Sequence, residues 1–281
     1  MLKIVSTPIG NLGDLSPRAA EALQQVDIIA CEDTRTTRKL ITLCSLDIRA
    51  KLVAYHDHNG HEMRPRLLSS MQAGKQVALV SDAGTPLISD PGYKLVAACH
   101  KQGITVTAIP GPAAPLMALT ISGLPTDRFT FQGFVPQKQT AARAQITESA
   151  SLTMTQIWFE TPRRLAKTLA LMADIYGDRL AVITRELTKL HETVEHDSLH
   201  SLAQKYAELD PPKGELVLLV NGADKSAQDY DEAGVHALLT EILTRSSVKD
   251  AAREAEALTG WPRRDLYQMA LQIAKKSNKN D

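Results

Sequence analysis

Val77-Ala78-Leu79-Val80-Ser81-Asp82-Ala83-Gly84-Thr85-Pro86-Leu87-Ile88-Ser89-Asp90-Pro91-Gly92 is the stretch on which the fold turns. An apolar run stops abruptly at Ser81, and two acid-and-glycine turns follow, Asp82-Ala83-Gly84 and Asp90-Pro91-Gly92. A short run with no polar alternation reads as a central strand, because parallel strands are covered on both faces. Parallel sheets carry their sites just beyond the carboxyl ends of such strands. Chain reversal explains either turn alone. Two in one loop, with Ser, Thr and Asp side chains between them, point to a site.

Working outward, strands are expected at 2–6, 26–31, 51–55 and 105–109. Helices are expected after Ser16-Pro17 and at 36–43, 62–73 and 93–102. Ser16 supplies a cap and Pro17 a preset first turn. Strand-helix alternation at this spacing is the α/β signature, and right-handed crossovers make the sheet mostly parallel. Pro110-Gly111-Pro112 closes this region and a helix follows to Ile121. A second set of strands is expected at 129–134, 156–159, 181–184 and 216–220, with helices near 140–150, 163–175 and 198–208. The domains expected are therefore an α/β lobe over 1–115, a second over 116–224, and a helical, helix-turn-helix-like unit over 232–281. A site is expected in the cleft between the lobes, where ligand pockets tend to occur.

The polar segment 221–231 reads as a linker. Beyond it Val235, Leu238, Leu239, Ile242 and Leu243 form one apolar stripe. Ser247-Val248-Lys249-Asp250 is a capping box, in which Asp250 is expected to bond back to the Ser247 amide. That helix stops at Gly260, and Pro262 opens another bearing Arg263 and Arg264, with Lys275, Lys276 and Lys279 further on against Asp265 and Asp281. Two readings stay open for this unit: a nucleic-acid contact, or a plain three-helix cap or dimer-packing element.

The 281 residues carry 32 basic and 32 acidic side chains, so any contact with nucleic acid must be a local patch rather than a general coating. Aromatic residues make up only 4%, which argues against a base-stacking platform. Cys31, Cys44 and Cys99 form no CxxC pair and are odd in number, which fits a reducing cytoplasm. No secretory signal or membrane span is expected.

Several chemistries lack their characteristic motifs in this chain. There is no Walker loop and no GxGxxG; Thr7-Pro8-Ile9-Gly10-Asn11-Leu12-Gly13-Asp14 follows the first strand instead. No Ser-His-Asp elbow or reactive-cysteine setting is present, so covalent hydrolysis is not expected. In His56-Asp57-His58-Asn59-Gly60-His61 the spacing fails HExxH and no metal is expected; His56, first after its strand, is kept as a cleft residue. Strand, acid, then arginine recurs at Cys31-Glu32-Asp33-Thr34-Arg35 (with Arg38 and Lys39 beyond), at Trp158-Phe159-Glu160-Thr161-Pro162-Arg163-Arg164, and at Thr184-Arg185-Glu186-Leu187-Thr188-Lys189. Arg163, Arg185, Lys189 and Lys213 suit an anionic polymer better than a small neutral metabolite.

Taken together, 7–15, 31–35, 77–92, Ile109-Pro110-Gly111-Pro112, 158–164 and 185–189 resemble the bacterial 16S ribosomal RNA (cytidine-2'-O)-methyltransferases, a family of the tetrapyrrole methylase superfamily. The resemblance covers essentially the whole chain. It implies a two-lobed class III S-adenosylmethionine methyltransferase fold with a small all-helical C-terminal domain, in a cytoplasmic homodimer. It implies methylation of the ribose 2'-hydroxyl of cytidine 1402, near the decoding centre of the small ribosomal subunit or its late precursor. Ser81, Asp82, Ala83, Gly84 and Thr85 would then touch the methionine part of S-adenosylmethionine. Pro8, Pro110 and Gly111 would line its pocket, and Ile121, Ser122, Leu187, Pro212, Lys213 and Gly214 would meet its adenosine side. One departure stands out: the family form Phe-Tyr-Glu-x-Pro-His-Arg has Trp158, Phe159 and Arg163 here, while Glu160, Pro162 and Arg164 remain.

For a methyl transfer the protein supplies alignment and a destination for the hydroxyl proton. Asp33, Glu186 and Lys189 are the candidates for that proton, a lysine only if its surroundings lower its pKa. Arg35, Arg38, Arg163, Arg164, Arg185, Arg263 and Arg264 are expected to position phosphates. Two competitors are a tetrapyrrole C- or N-methyltransferase, which needs no basic cleft or helical tail, and a non-catalytic RNA-binding ribosome factor, which would ignore S-adenosylmethionine.

Overall fold

In the computed structural model, which describes residues 1–223 and 232–277, two five-stranded sheets are followed by three helices. The chain divides into two compact units, 1–221 and 222–281. Both sheets lie in the first.

The first sheet is wholly parallel, in the order β3-β2-β4-β1-β5. Its strands are β1 (Leu2–Val5), β2 (Ile28–Cys31), β3 (Lys51–Ala54), β4 (Val77–Val80) and β5 (Val106–Ile109). The crossovers are α1 (Pro17–Gln25), α2 (Thr34–Leu43), α3 (Gly60–Gln72) and α4 (Tyr93–Lys101). Every residue of β2 and β4 is buried, because an apolar core covers each face of the sheet. Leu2, Ile4, Val77 and Leu79 enter one core; Val5, Ile29, Ala78 and Val80 enter the other. Ser16 Oγ accepts from the Ala19 amide (3.1 Å), as its place before Pro17 suggests.

The second sheet departs from the parallel pattern. After α5 (Ala114–Ile121) come β6 (Phe129–Phe134), α6 (Gln139–Glu148), β7 (Thr155–Glu160), α7 (Leu165–Tyr176), β8 (Leu180–Arg185), β9 (Thr193–Ser198), α8 (Leu199–Glu208) and β10 (Leu216–Val220). The order is β6-β7-β10-β8-β9, and only β6 with β7 is parallel. β9 has no counterpart in the sequence reading. It is largely exposed, and Thr-Val-Glu-His-Asp-Ser lacks the apolar run that marks a central strand. One face of this sheet packs on α6, α7 and α8; the other holds Ile157, Val182, Val217 and Leu219 against Ala118 and Leu119 of α5.

The second unit contains α9 (Glu232–Leu243), α10 (Val248–Thr259) and α11 (Arg263–Ser277) around Val235, Leu239, Ala251, Ala255, Leu266 and Ala270. Gly260 ends α10 in the left-handed conformation, φ 67°. Ser247 caps α10, but Asp250 takes its bond from Ser247 Oγ (2.7 Å) rather than from the Ser247 amide. Of the expected linker 221–231, residues 224–231 lie outside the described residues, as do Lys279 and Asp281. Among the described residues no helix is long and apolar enough to cross a membrane.

Candidate active site

The loops leaving β1, β4 and β5 are stitched together. Thr7 and Gly84 exchange backbone hydrogen bonds (2.9 and 3.0 Å). Thr85 Oγ1 donates to the Pro112 carbonyl (2.8 Å) and lies 3.0 Å from Ser6 Oγ. Ser81 Oγ donates to the Ala83 carbonyl (3.1 Å), folding the first turn back on itself. Gly84 sits at φ 81°, and a Cβ there would come within 3.2 Å of Ile9. Leu87 and Ser89 also hold positive φ, 76° and 64°, a costly conformation that concentrates at functional sites.

The second sheet supplies the facing wall. Because β10 runs antiparallel to both neighbours, Leu216 lies opposite Glu160 of β7 and opposite Arg185 of β8. The segment entering β10 therefore meets the ends of two other strands. Between the two walls lies a cavity of about 420 Å³. From the first sheet it is lined by Ile9, Asp82, Ala83, Gly84, Thr85, Ile88, Ser89 and Asp90, and from the start of α5 by Ala113, Ala114 and Pro115. Phe134, Phe159, Glu160, Thr161, Pro162, Thr184, Leu187 and residues 214–217 complete it. Mostly apolar walls with a few convergent polar groups are what a small-molecule site requires.

Acid groups crowd one side. Burial raises the Asp90 pKa against a hydrogen bond from Ser81, and the neighbouring Asp82 charge adds to the rise. Glu32 is raised by burial and then by the charges of Asp90 and Asp82. Asp33 goes the other way: hydrogen bonds from the Arg35 side chain and amide bring it from 3.8 to about 2. Its carboxylate caps α2 and pairs with Arg35 (2.7 Å), and its amide donates to Asp82 Oδ1 (3.1 Å).

On the opposite side Lys189 Nζ donates to Glu186 Oε1 (2.8 Å) and Glu215 Oε2 (3.1 Å). Glu186 Oε1 also accepts from the Glu215 amide (2.9 Å). The Lys189 bond and that amide hold the Glu186 pKa down. Partial burial pulls Lys189 down, but its bonds to the two glutamates outweigh this and leave its pKa raised. Two glycines make room. A Cβ on Gly214 would collide with the Glu186 carboxylate, and one on Gly10 would lie 2.5 Å from Lys189 Cγ.

Of the residues assigned to the cofactor from sequence, Asp82, Ala83, Gly84, Thr85, Leu187 and Gly214 line the cavity. Pro8 and Ser81 are buried but do not line the cavity, and Pro110 and Gly111, just after β5, are exposed, with Gly111 packed against Ser6. Ser122 is fully buried, its hydroxyl turned to the Leu119 carbonyl and its own carbonyl 2.8 Å from His196 Nε2; Ile121 is exposed at the end of α5. His56 lies in the 55–59 turn, its amide held by Asn59. Lys213 lines a second cleft beside the cavity, and Pro212 lines neither.

Arg164 is turned toward a partner within the fold: Nε donates to Glu160 Oε1 (2.7 Å), Nη2 to the Val135 carbonyl (2.5 Å), and the Glu160 side chain is 0% exposed. The Lys189 pKa is raised by its bonds to Glu186 and Glu215, the opposite direction to the one a lysine base requires. Arg35, Arg38, Arg163, Arg263 and Arg264 are exposed. Sequence reasoning missed Phe134, Phe159, Thr184 and Val217, whose facing depends on a strand order no local signal encodes. Asp90 was also missed, although it lies in the second acid-glycine turn, a local signal that could have found it.

Residues 1–203 match the family model described as Tetrapyrrole (Corrin/Porphyrin) Methylases, and residues 229–274 match the RsmI C-terminal HTH domain. Among solved structures, a cobalt precorrin-4 methyltransferase of cobalamin biosynthesis aligns with a TM-score of 0.58 at 18% identity, over 78% of this chain and 94% of that one. A diphthine synthase aligns with a TM-score of 0.60 at 17% identity, over 80% and 90%. At such identities the likeness concerns the fold alone, and the fold is that of the tetrapyrrole methylases. Much nearer in sequence are proteins named ribosomal RNA small subunit methyltransferase I. That of Mesorhizobium japonicum is 44% identical, covering 100% of this chain and 94% of the relative. That of Xylella fastidiosa (strain Temecula1) is 48% identical over 95% and 97%, and that of Escherichia coli O157:H7 41% over 96% and 94%. The chain belongs to the ribosomal RNA small subunit methyltransferase I family, within the tetrapyrrole methylases.

Proposed function

We propose that the chain transfers a methyl group from S-adenosylmethionine to the ribose 2'-hydroxyl of a cytidine in 16S rRNA, cytidine 1402 of the decoding region. It acts in the cytoplasm as a homodimer on the small ribosomal subunit or its late precursor. The observation that carries the reading is identity of 41–48% over nearly the full length of relatives named as rRNA methyltransferases. The match of residues 229–274 to an HTH domain favours a nucleic-acid substrate over a tetrapyrrole.

The cavity fits the cofactor in size and chemistry. Its volume of about 420 Å³ falls within the range usual for small-molecule sites. Asp82 and Asp90 offer negative charge to a cation, and Ala83, Ala113, Ala114 and Leu187 offer apolar surface to a nucleoside. Asp82, Ala83, Gly84, Thr85, Leu187 and Gly214 would hold the bound molecule. When bound, S-adenosylmethionine supplies a methyl group already activated on a sulfonium.

The residues then align a ribose hydroxyl and receive its proton. Asp33 near pKa 2, and Glu186 held down by Lys189, are weak acceptors. Asp90 is the better one: it lines the cavity, and burial makes its carboxylate more basic. Lys189 stays charged and fixes Glu186 and Glu215 in place. Arg35, Arg38, Arg163, Arg185, Arg263 and Arg264 meet phosphates.

The decisive assay presents tritiated S-adenosylmethionine with small subunits lacking the methyl group and maps the labelled nucleotide. Label on the cytidine ribose is the expected outcome. No transfer, or label on a base, overturns the reading.

A further inference from the structure

We infer that the cleft beside the cavity, between the 185–193 loop and the segment entering β10, seats a backbone phosphate of the substrate RNA, with Arg185 and Lys213 as its cations. The inference rests on the RNA-methylating reading above and assigns one part of the substrate to one place. The cleft, of about 510 Å³, shares Gly214 with the cavity. Glu186 faces the cleft while the next residue, Leu187, lines the cavity. A ribose presented at the cavity and a phosphate in the cleft are thus neighbours along one strand.

The cleft brings the cations Arg185 and Lys213 together with the carboxylates of Glu186 and Glu192, and neither cation closes an ion pair with either acid. Arg185 is half-buried and planted: Nη1 donates to the Lys213 carbonyl (3.1 Å) and Nε faces Thr193 Oγ1 (3.4 Å). Neither partner is an anion. Among the described residues, no ion pair involves Arg185 or Lys213. The two acids lining the cleft are already engaged. Glu186 accepts from Lys189 and the Glu215 amide, and Glu192 accepts from the Thr188 amide (2.6 Å). A guanidinium held in place beside a free ammonium is suited to phosphate oxygens.

The loop is also held in shape. Glu186 and Thr188 carry positive φ of 55° and 65°, so the turn presents one conformation rather than many. Leu190 lies in the lining of the cleft and is 93% exposed. An apolar side chain left bare beside a phosphate seat is placed for the face of an unstacked base, the usual mode of single-stranded RNA recognition.

The test uses the full-length chain and its Lys213→Gln, Arg185→Gln and Leu190→Ser variants. Affinity for S-adenosylmethionine is measured by calorimetry, and affinity for unmethylated small subunits over a range of salt. Lys213→Gln alters only an exposed side chain, so it remains informative if Arg185→Gln misfolds. The expected result is cofactor affinity within about twofold of the parent. RNA affinity falls about tenfold for each lost cation, with a log-log salt slope shallower by about 0.7. Leu190→Ser weakens RNA binding and leaves the slope unchanged. A salt slope unaltered by Lys213→Gln overturns the inference, as does equal loss of cofactor and RNA affinity. If the parent chain itself transfers no methyl group, the broader reading fails first; if it does and the slopes are unaltered, only the phosphate seat fails.

Discussion

At Gly214 the missing side chain decides where a charge can sit. The Glu186 carboxylate occupies the space a Cβ would take, and Gly214 itself is at φ 95°. Gly214→Ala is expected to displace Glu186, detach Lys189 and cost about 1–3 kcal/mol in a thermal melt, with weaker S-adenosylmethionine binding in calorimetry. Asp90 provides the pH-dependent counterpart. Its pKa is raised in the fold, so its favourable contribution to stability is complete below the ordinary value and is lost as pH rises through the folded one. Asp90→Asn should therefore melt no lower than the parent at pH 7. Its kcat should nevertheless fall by about 10²-fold or more, and the acid limb of the pH–rate profile, set by Asp90 in the parent, should disappear. A variant with normal rate and an unchanged acid limb would remove Asp90 from the proton path.

The turn from β7 into α7 shows how an element can mislead when read as a motif. Glu160-Thr161-Pro162-Arg163-Arg164 offers two adjacent arginines, and the sequence treats them alike. In the fold only Arg163 stays in solvent. Arg164 turns inward to Glu160, which also accepts from the Thr161 amide (2.6 Å) and Thr168 Oγ1 (2.5 Å). Removing one partner of a buried pair leaves the other charge uncompensated, at a cost of about 3–5 kcal/mol. Arg164→Ala is accordingly expected to lower the melting temperature sharply. Arg163→Ala should leave it within about 0.5 kcal/mol of the parent and weaken RNA binding instead. Chemical denaturation alongside a filter-binding assay separates the two.

At the scale of the whole molecule, 1–221 and 222–281 each carry their own core. A chain truncated after residue 221 is expected to keep its melting transition and its S-adenosylmethionine affinity, because every cavity-lining residue precedes that point. Its affinity for the small subunit should fall, if the HTH-like unit contacts RNA. Equal loss of both affinities would mean that the helical unit only supports the fold. Sedimentation, calorimetry and RNA binding on the same preparation decide between these outcomes.

The first sheet was legible in the sequence because parallel strands covered on both faces appear as unbroken apolar runs, and Val77-Ala78-Leu79-Val80 is one of them. The two acid-glycine turns after it marked half of the cavity for the same reason: in such a sheet, the site lies where the strand ends. The helix caps at Ser16 and Ser247 were equally local and equally readable. What the sequence left open was the other wall. β10 lies between β7 and β8 and runs against both, bringing Leu216 beside Glu160 and Arg185 although each pair is separated by dozens of residues. That pairing is set by which faces can be buried together, a property of the assembled sheet. It also decides which arginine turns inward, whether Lys189 is held charged, and that Lys213 faces a cleft rather than the cavity. These are consequences of burial and of neighbouring charge, and both exist only once distant segments have met.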